Sequence, residues 1–148
     1  MPKIDIAQAF ERKGSSYPPP FDQPCAERLR KRLGDAAGLT DFGVNLLTLP
    51  PGVWSSQRHW HTAEDEFVFV VSGEVVLMTD AGETVMRAGD CAGFPKGQAD
   101  GHQLVNRSDK AAICLEVGTR TENDVTTYSD IDLVLGPTGL LHKDGTPY

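Results

Sequence analysis

His59 and His61 stand two positions apart in the run RHWHTAEDEFVFV, a spacing that sends both imidazoles out of the same face of a β-strand. Two such rings can grip one cation. Thr62 to Asp65 reads as a tight turn, and Glu66 opens the next strand, expected to lie antiparallel beside the first and to return a carboxylate toward the two nitrogens. His102, in GHQLVN, begins a later strand and can reach the same point, because closing a barrel brings non-neighbouring strands around one interior. Three imidazoles and one carboxylate suit one divalent transition metal (Mn, Fe, Ni, Co or Zn) and are too rich in nitrogen for Ca or Mg. A six-coordinate ion held by these four groups keeps about two positions for a substrate or dioxygen. A His-x-His pair alone is a common accident; three of the chain's four histidines at places that one barrel can bring together weigh more.

The elements that must position these groups are short strands. From Asp41 the chain shows β-like runs separated by turn residues every eight to twelve positions, at about 42–49, 54–61, 66–72, 74–79, 83–87, 90–94, 102–106 and 111–117. Asp80-Ala81-Gly82 supplies a hairpin and Pro95-Lys96-Gly97 ends a strand. No helices alternate with these runs, so the expectation is an all-β barrel and not a parallel α/β fold. Residues 1–40 form an N-terminal arm with the first strand or strands, 41–118 the barrel core, and 119–148 a polar tail packed on its outside or rim. Within the arm, Pro18 to Pro20 predict an extended, polyproline-like path, and AERLRKRLG is ambiguous between helix and strand, with strand preferred.

A chain of 148 residues needs only one domain. Its net charge of −7 argues against nucleic acid or an anionic membrane as partner. The basic run Arg28, Arg30, Lys31, Arg32 is the local exception: residues 1–33 carry seven Lys/Arg and four Asp/Glu. A solvated face is the expectation for it, and phosphorylated-substrate binding a lesser one. Cys25, Cys91 and Cys114 are scattered without a Cys-x-x-Cys pair, which fits reduced thiols rather than a disulfide framework or thiolate zinc site. MPKIDIAQAF lacks a signal-type apolar core and no run approaches a membrane span, so the expected location is the cytoplasm.

Two motifs resemble those of the cupin superfamily. Gly52, His59, His61, Glu66 and Gly73 match the first, with four residues between His61 and Glu66 and six between Glu66 and Gly73. Gly89, Pro95, Gly97, His102 and Asn106 match the second, with fifteen residues between the two motifs. Six residues follow Gly52 where the pattern has five, and four follow Gly97 where it has two; both differences fall in loops, and the second keeps strand parity for His102. The resemblance implies a double-stranded β-helix, or jelly-roll barrel. It implies His59, His61, Glu66 and His102 as metal ligands, Gly73, Gly89, Pro95 and Gly97 as turn-makers, and Asn106 as the end of a strand hydrogen-bond network. It extends to a subgroup of bacterial single-domain cupins, some described as sugar-phosphate isomerases.

Parity places Gln57 on the inward face with His59 and His61, where it could bind a ligand, and sends Arg58 and Trp60 the other way. Glu116 shares parity with Cys114 and Ala112; it is a candidate acid or base, or the partner of an arginine such as Arg87 or Arg120. Glu64 is the competing carboxylate for Glu66. Apolar residues on both parities of EFVFVVS predict a strand covered on both faces, by a second copy of the chain or by the N-terminal arm. The functional expectation is a metalloenzyme acting on a small polar substrate by isomerisation, with Fe(II)-dependent oxidation and non-catalytic sensing as alternatives.

Overall fold

The computed structural model describes residues 3–148. It contains thirteen strands: β1 (Glu11–Lys13), β2 (Leu29–Arg32), β3 (Phe42–Leu49), β4 (His59–His61), β5 (Glu66–Ser72), β6 (Glu74–Thr79), β7 (Gly82–Arg87), β8 (Cys91–Phe94), β9 (Gln103–Val105), β10 (Ala112–Thr119), β11 (Thr126–Tyr128), β12 (Val134–Gly136) and β13 (Gly139–Leu141). One layer is a six-stranded sheet in the order β1-β2-β3-β10-β5-β8. The other joins a three-stranded sheet, β7-β6-β9, to a four-stranded one, β13-β12-β11-β4. The join is a backbone bridge in which His59 N–H donates to the His102 carbonyl at 3.1 Å and His102 N–H returns the bond at 2.9 Å. This antiparallel, two-layered barrel agrees with the all-β fold expected from the turn spacing and with the jelly roll that the motif resemblance implies.

Alternation along the strands decides what faces inward. On β5, Val68 and Val70 are buried, and they lie opposite Glu116 and Cys114 of β10. Cys114 in turn faces Leu47, and Ala112 faces Leu49. These side chains, with Val53, Val75, Met86 and Leu104, form the apolar core. Gly73 makes the one-residue connection from β5 to β6 at φ 79°, where an added Cβ would stand 2.9 Å from the Ala111 carbonyl oxygen and the Ala112 Cα. Only glycine fits there. Asn106, fully buried, donates from its amide to the carbonyls of Leu49 and Lys110, both at 2.7 Å, and accepts from Ser108, closing the network expected of it.

Four expectations are corrected. The strand expected at 54–61 is confined to His59–His61, because the backbone of Trp54 and Ser55 is already engaged by Pro24 and Leu104. β4 and β5 are not neighbours: β4 pairs with β11 and β5 with β10 and β8, so Thr62 to Asp65 crosses between layers instead of closing a hairpin. The proline run is turned, with Phe21 N–H bonded to the Pro18 carbonyl at 2.9 Å. The arm does not cover the outer face of β5, where Phe67, Phe69 and Val71 are 42%, 37% and 47% exposed. AERLRKRLG holds strand β2 followed by a single helical turn, Leu33–Ala36. The tail does more than pack on the rim; β11 hydrogen-bonds along the whole of β4.

Candidate metal centre

β4 presents His59 and His61 from one layer, and β5 presents Glu66 from the other. His102 enters from the residue just before β9, its ring stacked on Phe94 of β8 with centroids 3.6 Å apart and planes 3° from parallel. The four side chains meet at one carboxylate oxygen: Glu66 Oε2 lies 2.9 Å from His102 Nε2, 3.2 Å from His61 Nε2 and 3.5 Å from His59 Nε2. Sequence spacing thus brings the four expected residues together, although through a different strand pairing from the one anticipated.

The outer nitrogens determine what the inner ones can do. His59 Nδ1 is 2.8 Å from the Gln57 carbonyl, which only accepts, so Nδ1 carries the proton and a neutral ring directs its Nε2 lone pair inward. His61 Nδ1 is 2.6 Å from Asp124 Oδ2, with the same consequence. Nitrogens and a carboxylate this close require shared positive charge, supplied either by a proton between the imidazoles and Glu66 or by a divalent cation that displaces it. The donor set therefore fits the expected transition ion. Burial alone would raise the Glu66 carboxyl, but hydrogen bonds from His102, His59 and His61 outweigh it and hold the group well below the usual carboxylate range. Burial alone would lower His61; Glu66 and Asp124 overcome it and bring the ring to about 9. His102 is lowered, chiefly by burial, which favours the neutral, ligating form.

Asp124 escaped the sequence reading. It also accepts from Ala63 N–H at 2.8 Å, so it ties the tail to the loop after β4 while orienting His61. Gln57 is misplaced by parity: it precedes β4, and its amide donates to the Phe21 carbonyl at 2.7 Å instead of facing the cavity. Glu116 does face the cavity, paired with Arg30 at 2.8 and 2.9 Å, while Arg87 and Arg120 pair with Glu74 and Asp35. Glu64 accepts from Thr121 N–H at 2.7 Å and stands 3.9 Å from His61 Nδ1, outside the ring of inner nitrogens. Arg58 points away to Asp130 and Asp80.

The histidines open onto a cavity of about 430 Å³ that passes Tyr17, Tyr128 and Glu116 to the arginines of β1 and β2. Such a volume suits a small metabolite. Tyr17 and Tyr128 meet edge to face at 5.4 Å, and burial raises both phenols, so each keeps its proton at neutral pH.

The family model of the Cupin domain matches residues 45–118. The chain belongs to the cupin superfamily. Among solved cupin structures, a sugar phosphate isomerase from Silicibacter pomeroyi is 47% identical over 99% of this chain and 96% of its own, with a TM-score of 0.94. An Acidithiobacillus ferrooxidans protein, provisionally named a sugar phosphate isomerase, is 28% identical over 100% of this chain and 94% of its own, with a TM-score of 0.80. A Thermotoga maritima protein predicted to be an oxalate decarboxylase shares the fold at 18% identity, covering 80% of this cupin and 99% of its own chain, with a TM-score of 0.64. No curated protein matches this cupin. Arg12, Tyr17, Arg30 and Tyr128 all lie outside the matched cupin residues, so the segments flanking the match complete the cavity. Among the described residues, no helix is long and apolar enough to cross a membrane.

Proposed function

We propose that this cupin is a metal-dependent isomerase of a small sugar-type substrate, with one divalent transition ion held by His59, His61, Glu66 and His102. The observation that carries the reading is the convergence of three imidazole Nε2 atoms within 2.9–3.5 Å of a single Glu66 oxygen on the wall of a polar cavity. The likeness to the Silicibacter protein, which covers nearly both chains, supports the reaction class. Bound there, the ion supplies Lewis acidity toward a carbonyl and its neighbouring hydroxyl.

The chain's own groups prepare the site. Gln57 and Asp124 hold the His59 and His61 rings with their Nε2 atoms inward, and Phe94 sets the plane of His102. Protonated Tyr17 and Tyr128 offer hydroxyl donors to sugar oxygens. Arg30 neutralises Glu116, so this carboxylate anchors the cavity wall instead of acting as a free base.

The test is a panel of aldoses, ketoses and their phosphates incubated with metal-loaded protein, read by NMR. Interconversion with solvent-proton exchange at the migrating carbon is the expected result. Oxygen consumption with substrate cleavage, or saturable binding without turnover, overturns it. The reading also includes a homodimer formed through the apolar outer strip Phe67, Phe69 and Val71; sedimentation is expected to give a dimer for the wild-type chain and a monomer for Phe69→Glu.

A further inference from the structure

Arg12 of β1 and Arg30 of β2 are direct cross-strand partners, and both line the cavity that opens from the histidines. Two guanidinium groups placed opposite one another on the same face repel, an arrangement that costs stability unless an anion lies between them. Glu116 answers only Arg30. Among the described residues, no carboxylate lies within ion-pair distance of Arg12. Arg28, next along the chain on the same wall, is buried with its guanidinium on the carbonyls of Gly14 and Ser55 and over the Tyr17 ring, so it too lacks an anionic partner. Arg32 and Arg120, also on the lining, share Asp35, so five cations meet two carboxylates there and this part of the cavity carries a surplus of positive charge inside a protein whose net charge is −7. Lys31, the residue after Arg30 on the opposite face of β2, pairs with Glu11, so that face is compensated while the inner one is not.

We infer that Arg12 and Arg30, backed by the buried charge of Arg28, form a phosphoryl-binding subsite on the β1–β2 wall of the cavity. The Arg12 fork, free of any carboxylate, matches two oxygens of a phosphate monoester, while Arg30, with Nε and Nη2 held by Glu116, adds its Nη1 and its charge, and a dianion relieves the repulsion between the two arginines. The inference rests on the isomerase reading above and narrows its substrate to a phosphorylated one. The subsite would hold the phosphoryl end and leave the other end of the molecule at the metal centre. Its residues belong to the N-terminal extension, outside the matched cupin core.

Calorimetric titration of the metal-loaded protein with inorganic phosphate, and separately with acetate, tests the subsite without requiring turnover. Phosphate is expected to bind saturably, at least tenfold more tightly than acetate, and Arg12→Gln to weaken it about tenfold. Arg12 has no ionic partner to strand, so its loss does not threaten the fold as Arg30→Gln would by leaving Glu116 unpaired. His59→Ala/His61→Ala is expected to keep the phosphate affinity while losing metal, which separates this subsite from direct binding to the ion. Unchanged affinity in Arg12→Gln, phosphate binding that disappears with the histidines, acetate binding as tight as phosphate, or no phosphate binding at all each overturns the inference. If phosphate binds as expected yet no sugar phosphate is turned over, the isomerase reading fails and the subsite stands.

Discussion

The two ends of the barrel are built on the same strands and have opposite characters. At one end β3, β5 and β10 turn Leu47, Leu49, Val70, Ala112 and Cys114 inward, and all five are fully buried. Two residues further along β10 the inward position is Glu116, and two residues before Val68 on β5 it is Glu66. One step of the pleat pair, about 7 Å, therefore separates packed hydrocarbon from carboxylates. The closed end supplies the hydrophobic free energy that holds the strands in register; the open end keeps few apolar inward residues, such as Phe94 under His102, and gathers charge. Stability and chemistry are thus separated along each strand, not assigned to different strands.

That separation can be broken from either end. The largest effect is expected at the open end: His59→Ala/His61→Ala should lower bound transition metal from about one equivalent per chain to roughly a tenth or less, measured by elemental analysis, while circular dichroism stays β-rich. At the closed end, Leu47→Ala removes a fully buried side chain from the core and should cost about 2–5 kcal/mol, lowering Tm by roughly 4–20 °C, with metal content retained. Loss of metal in the Leu47 variant at a temperature where it is folded would show that the ends are coupled. Asp124→Asn keeps the size of the side chain but weakens its hold on His61; metal affinity should fall about 10–100-fold in competition with a chelator, with little change in Tm. The smallest effect sharpens the boundary: Cys114, pushed up to about 12 by burial, and Cys25, also raised by burial, should resist iodoacetamide up to about pH 9, while exposed Cys91 is alkylated. Labelling of Cys114 in the folded protein would place water where the core is drawn dry.

The closed end was the more legible in the sequence. Strands β3, β5, β6, β7, β8 and β10 fall within a residue or two of their expected limits, because alternation and turn residues are local signals. The four ligand candidates were legible as well, since a two-residue spacing means the same face in any strand. What sequence could not show was pairing. A turn after β4 reads as a hairpin, yet the chain crosses layers there, and Glu66 arrives from the opposite sheet. Asp124 lies 63 positions from His61 with no periodicity to connect them. Parity likewise led Gln57 astray, because the strand assumed to carry it begins only at His59. Arg12 and Arg30 gain meaning only from the β1–β2 register, which turned a run expected to be solvated into one wall of the cavity.

The pairing of β11 with β4 reaches beyond geometry. Asp124, which steers His61, follows it by 63 residues, and β11, which flanks both histidines, comes later still, so the rings are synthesised well before the elements that hold them. A nascent chain stalled before β11 has its histidines without the frame that aims them. The frame that aims these rings is consequently complete only once β11 has been made, and an ion meeting the chain before then would find fewer oriented groups to hold it.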